Sequence, residues 1–155
     1  MKRLIILLAA FAILPSCVKV SETLNICFAN AYEQTVTVCG NGSNLSIKPQ
    51  KLLPIAVCVA EGDGNHLDIE SQWKTSFYNT YDTLIIYDQD NVVLDTWTKD
   101  DPRPGNPFDI ASWSKEDKVE SGVDGGLKDG VEYSFLVSAY TRTKYNLTYV
   151  IAPRQ

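Results

Sequence analysis

Along most of this chain, apolar and polar residues alternate over short stretches. Leu24, Ile26 and Phe28 alternate with Thr23, Asn25 and Cys27, and Val36 and Val38 alternate with Thr35, Thr37 and Cys39. A period of two marks a half-buried strand, and the turn-like residues Asn30 to Gln34 between the two runs suggest a hairpin. Leu45 to Ile47 predicts a short strand, Lys48 to Pro54 a proline-bounded connection, and Ile55 to Ala60 a further strand. Glu61-Gly62-Asp63-Gly64-Asn65 has the composition of a turn. Leu67 and Ile69 suggest another short strand, while the aromatic stretch Trp73 to Tyr81 has no regular period and reads as a connection with room for a short strand.

The strongest pattern is Leu84-Ile85-Ile86-Tyr87, followed by Asp88-Gln89-Asp90-Asn91 and then Val92 to Trp97. Turn chemistry between two β-type runs predicts a hairpin, and a first strand that is apolar on both faces belongs in the middle of a sheet. Residues 98–130 are polar and interrupted by Pro102, Pro104, Pro107 and five glycines. Within them Asp109 to Val119 suggests a short helix with Ile110 and Trp113 on one side. Alternation returns at Val131, Tyr133, Phe135, Val137 and Ala139, and again at Tyr145, Leu147, Tyr149 and Ile151, as two long closing strands. Seven or eight short strands with little helix argue for an all-β fold, an antiparallel β-sandwich of immunoglobulin-like architecture, with a small β-barrel as the alternative.

One stretch stands apart from this pattern. After Lys2 and Arg3, Leu4 to Leu14 is continuously apolar, the length of a secretory signal core of roughly 7 to 15 residues. It is short of the roughly 20 residues that span a bilayer. Leu14-Pro15-Ser16-Cys17 closes it and resembles the lipobox of bacterial lipoproteins. That resemblance implies removal of residues 1–16, a diacylglyceryl group on the Cys17 thiol, a lipidated tether over residues 17–22 and a single domain over 23–155. The other reading is an ordinary secretory signal with an unmodified cysteine. An acyl chain contributes about 0.8 kcal/mol per buried methylene, so more than one chain holds a protein stably at a membrane.

Loss of Lys2 and Arg3 from 14 basic residues, against 19 acidic ones, moves the formal net charge from −5 to −7. An acidic chain is a poor partner for nucleic acid, which is held by clustered Lys and Arg, and its net charge argues against electrostatic docking on anionic lipid. If Cys17 is lipidated, Cys27, Cys39 and Cys58 remain, and an exported chain is expected to carry one disulfide. A three-residue hairpin loop sets Cys27 opposite Cys39, so that pair is expected, with Cys39 to Cys58 as its competitor.

Candidate chemistry is sparse. His66 is the only imidazole and has no cysteine or histidine at zinc-ligand spacing, so neither a metal nor a cofactor is expected. It also lies outside any nucleophile signature, so no catalytic residue is assigned and no enzyme is expected. Asp88-Gln89-Asp90-Asn91 and Asp63-Gly64-Asn65 offer oxygen ligands, but those residues are equally the ones that make turns. Trp97 shares strand parity with Val93 and is expected to be buried. Trp73 and Trp113 fall in predicted loops and are the candidates for a glycan-stacking platform.

Taken with the lipobox, the strand Thr35-Val36-Thr37-Val38-Cys39-Gly40, the hairpin from Ile85 to Trp97 and the segment Phe108-Asp109-Ile110-Ala111-Ser112-Trp113 give a chain that resembles small Bacteroidetes-type lipoproteins of uncharacterised function. The resemblance implies a bacterial outer-membrane anchor, on either the periplasmic or the cell-surface face. A lipid-tethered β-sandwich that presents a face of loops is expected to be a binding or interaction module for an envelope protein or a glycan. The alternative is a small envelope hydrolase or enzyme inhibitor.

Overall fold

The structure, a computed structural model, describes residues 19–62, 64–124, 127–128, 131–132 and 138–153. Strand predominates over helix, 55% against 11%, and the strands form two four-stranded sheets that do not close into a barrel. The fold is therefore an all-β sandwich. The first sheet runs in the order β4 (Leu52–Glu61), β1 (Lys19–Asn30), β10 (Ser138–Ile151), β7 (Ser114–Asp124). The second runs β3 (Ser43–Ile47), β2 (Val36–Gly40), β5 (Thr83–Tyr87), β6 (Val93–Thr98). β8 (Leu127–Lys128) and β9 (Val131–Glu132) form a separate two-stranded ribbon.

The expected β1–β2 hairpin does not form. The two strands lie in different sheets, because the chain crosses the sandwich at a buried asparagine. Asn30 donates from Nδ2 to the carbonyls of Gln34 at 2.8 Å and Ile47 at 2.9 Å, and its Oδ1 accepts from the Tyr32 N–H at 2.8 Å. Once β1 is released from β2, it pairs antiparallel with β4 and parallel with β10, the first and last long strands lying side by side. Its alternation is as expected, with Leu24, Ile26 and Phe28 at 0–1% exposure in the core. β1 also begins earlier than its apolar pattern. Lys19 to Glu22, read as tether, pair with Tyr140 to Thr143, so in sequence Val18 alone separates Cys17 from the sheet.

The β5–β6 hairpin is present, and β5 is central, with β2 on its other side. β4 starts at Leu52 and carries Pro54 within it, which a strand at the sheet's edge tolerates because its outer N–H groups have no ladder partner. β7 replaces the short helix expected over Asp109 to Val119. Only a 3₁₀ turn, Ile110–Ser112, precedes it, and β7 then pairs antiparallel with β10 over eleven positions. As an edge strand rich in Lys, Glu and Asp it has no apolar alternation to reveal it. The strand expected through Tyr133, Phe135 and Val137 lies outside the described residues.

The remaining correction lies between β4 and β5. Residues expected as strand and connection form α1 (Ile69–Trp73), which continues as a π-helical turn over Lys74–Tyr78. Asp68 caps it by accepting from the Ser71 N–H at 3.1 Å. The spacing of Ile69, Trp73 and Phe77 puts three apolar residues on one face, and Trp73 and Phe77 are buried. Phe77 lies 5.0 Å from Trp113 and 5.4 Å from Phe108, ring centre to ring centre, and Phe28 lies 5.8 Å from Trp113. Among the described residues no helix is long and apolar enough to cross a membrane.

Candidate functional site

Trp73 and Trp113, the expected glycan platform, are 5% and 6% exposed and belong to the core. Trp113 Nε1 donates to the Pro107 carbonyl at 2.8 Å, and its ring packs against Phe28, Phe77, Trp73 and Tyr149. Neither ring offers a face to a sugar. Both tryptophans lie in segments without strand periodicity, a pattern that surface loops share, and here those segments fold their rings into the core.

The disulfide expectation falls with the hairpin that carried it. Cys27 pairs in register with Pro54 on one side and Thr148 on the other, while Cys39 lies in the second sheet opposite Asn44 and Ile85. Cys27, Cys39 and Cys58 are free thiols. Burial pushes the Cys27 thiol up from its ordinary pKa. Cys17 lies outside the described residues.

A cleft of about 470 Å³ opens at the far end of the sandwich from Lys19. Ile86 of β5, Leu94, Asp95 and Trp97 of β6, Arg103 to Gly105 of the following loop, and Tyr149 to Ala152 at the end of β10 form its walls, with Tyr32 from the β1–β2 crossing. Its volume lies within the range of small-ligand pockets, about 300 to 1,000 Å³. Arg103 organises the rim. Its Nε donates to both Asp101 oxygens at 2.8 and 2.9 Å, its Nη1 to Asp95 Oδ1 at 3.2 Å, and its Nη2 to the Thr96 carbonyl and to Asp101. The guanidinium also stacks over Trp97, 4.2 Å from the ring centre.

Asp101 first, and then Asp95, hold that guanidinium firmly in its charged form. Tyr149 donates its hydroxyl to the Gly105 carbonyl at 2.7 Å, and Asn106 Nδ2 donates to the carbonyls of Thr98 and Asp101 at 3.0 and 2.9 Å. Together these bonds hold a proline- and glycine-rich loop in one shape. Sequence reasoning missed this site because Asp95, Asp101 and Arg103 form no motif. The usable signal is a lone arginine in an acidic loop that follows a strand carrying Trp97 next to its end.

The other candidate groups are placed as follows. Asp88 Oδ1 accepts from the N–H groups of Asp90 at 2.9 Å and Val92 at 2.8 Å, so this carboxylate makes the turn. His66 meets a carboxylate that was not foreseen. Its Nδ1–H donates to Glu22 Oε1 at 2.9 Å, and Glu22 Oε2 accepts from the Leu67 N–H at 2.6 Å. The residue Glu22 is 6% exposed on the inner face of β1, while the His66 side chain is 72% exposed. The His66 hydrogen bond, then that of Leu67, hold the Glu22 carboxyl below its ordinary pKa.

Compared with protein-family models, curated proteins and solved structures, the chain matches none.

Proposed function

We propose that this chain is a lipid-tethered binding module of the bacterial cell envelope, anchored through Cys17, and that its ligand enters the cleft between β6, the Arg103 loop and the end of β10. The cleft is the observation that carries this reading. Apolar walls of Ile86, Leu94 and Ile151 sit beside the Asp95 carboxylate, which is itself held by Arg103. That combination suits a small amphipathic group with hydrogen-bond donors, such as a sugar ring of an envelope glycan or a side chain of an envelope protein. The anchor rests on the sequence Leu14-Pro15-Ser16-Cys17.

The test compares the wild type with Leu94→Glu on a glycan array and in pull-downs from envelope extract. Leu94 is half-buried on the cleft wall, so the substitution charges and narrows the cleft. Loss of a wild-type ligand in that variant supports the reading; an unchanged ligand profile removes the cleft from recognition. The Glu22–His66 pair favours the alternative, a small envelope hydrolase. Hydrolysis of an envelope polymer that disappears in His66→Ala would select that alternative.

A further inference from the structure

The outer face of the first sheet changes character along its length, and the rows of its ladder show how. At the start of β1, Lys19 stands beside Tyr140 and Gly122. The next outward row is Glu61, Ser21, Arg142 and Glu120, and the next is Val59, Thr23, Lys144 and Lys118. These three rows hold four cations, Lys19, Lys118, Arg142 and Lys144, against two carboxylates, Glu61 and Glu120, in a chain whose net charge is −5. All four cations are exposed.

The patch has built features. Arg142 stacks over Tyr140, 4.6 Å from the ring centre, and Tyr140 lies flat on Gly122, where a Cβ would collide with its ring. Lys118 bridges to Glu120 at 2.7 Å. Two adjoining depressions of about 390 and 210 Å³ share Ser21 and Arg142. Lys19 lines the first of them, and Lys118 and Lys144 line the second.

From these observations we infer that this basic end of the sheet is a docking surface for the anionic headgroups of the membrane that anchors the protein. The inference rests on the lipid-tether reading for its geometry. Val18 alone separates Cys17 from Lys19, and two extended residue steps reach only about 7 Å. Successive outward rows are also about 7 Å apart, so an acylated Cys17 brings the Lys19 and Arg142 rows down to headgroup level. Ionic screening over roughly 8 Å means that the nearby cations govern this contact, and the acidic residues at the far end do not. The domain is thereby held with the Arg103 cleft pointing away from the bilayer.

The test uses the processed chain reconstituted in vesicles of phosphatidylglycerol or of phosphatidylcholine, with lysine accessibility read by amine labelling and mass spectrometry. The expected result is protection of Lys118 and Lys144 in the anionic vesicles only, reversed by high salt, with Lys48 and Lys51 labelled equally in both. Arg142→Gln with Lys144→Gln should weaken the protected state about fivefold per charge removed. Equal labelling of Lys118 and Lys144 in the two vesicle types would overturn the inference. The mass of the N-terminal peptide reports acylation separately. If Cys17 carries no lipid, the tether reading fails, and the same labelling with added unacylated protein still decides whether the patch binds headgroups.

Discussion

Asn30 shows what one side chain decides in this fold. It lies in a segment of turn-like residues, and its consequence is long-range: three hydrogen bonds from one buried amide tie the end of β1 to Tyr32, Gln34 and the end of β3. Asn30→Ala leaves two carbonyls and one N–H without their partner, at about 1 to 3 kcal/mol for a buried group so stranded, and urea unfolding should show a loss of roughly 3 kcal/mol. Cys27, buried and with its thiol pKa raised, should react with a thiol reagent much more slowly than Cys39 and Cys58 in the folded protein. All three should react alike in denaturant. Glu22 predicts a pH dependence. Its carboxyl pKa is lowered in the fold from an ordinary 4.5, so the stability it contributes is present above about 4.5 and is lost as the pH falls through the folded value. Comparison of wild type with Glu22→Gln in urea should therefore give a difference at neutral pH that shrinks below about 4.5.

At the scale of elements, the legible strands are those with one face in the core and one in solvent. β1 and β2 alternate apolar and polar residues because the sandwich buries one face of each, while β5 is a continuous apolar run in the middle of its sheet that turns Leu84 and Ile86 into the core. β7 was illegible for the opposite reason: it is an edge strand whose sequence of Ser, Lys, Glu and Asp follows no hydrophobic period. The helical segment was legible in principle. Asp68 as cap and Ile69, Trp73 and Phe77 at successive turns form a helix signal, obscured by Tyr78 and Tyr81, which follow outside that spacing. Asp68→Ala should cost about 1 kcal/mol, the ordinary worth of an N-cap. Phe77→Ala, which removes a fully buried ring touching Phe28, Trp73, Phe108 and Trp113, should cost roughly 3 to 5 kcal/mol. Thermal or urea unfolding of the two variants checks both magnitudes and their order.

Across the whole molecule, the first sheet is completed by its last strand. β10 lies between β1 and β7 and gives Leu147, Tyr149 and Ile151 to the core. A chain truncated after Thr143 loses the part of that strand which carries Leu147, Tyr149 and Ile151, and its far-ultraviolet circular dichroism should be that of an unfolded polypeptide. The same topology sets two features at opposite ends: β1 enters at the basic rows, while the end of β10 lines the cleft.

The amino-acid sequence alone determined the all-β class, the inward residues of the central strands and the β5–β6 hairpin, because these follow from local alternation and turn chemistry. It also carries the lipobox-like segment, which is a local signal. Only the tertiary structure decided which sheet each strand joins, that Trp73 and Trp113 are core, and that Cys27 and Cys39 lie apart. It alone set the Asp95, Asp101 and Arg103 cluster against Tyr32 and the end of β10 to make a cleft, and sorted Lys19, Lys118, Arg142 and Lys144 onto one end of an acidic molecule. Those features depend on pairings between residues tens to more than a hundred positions apart, and a two-residue period says which face a side chain takes without saying what lies across from it.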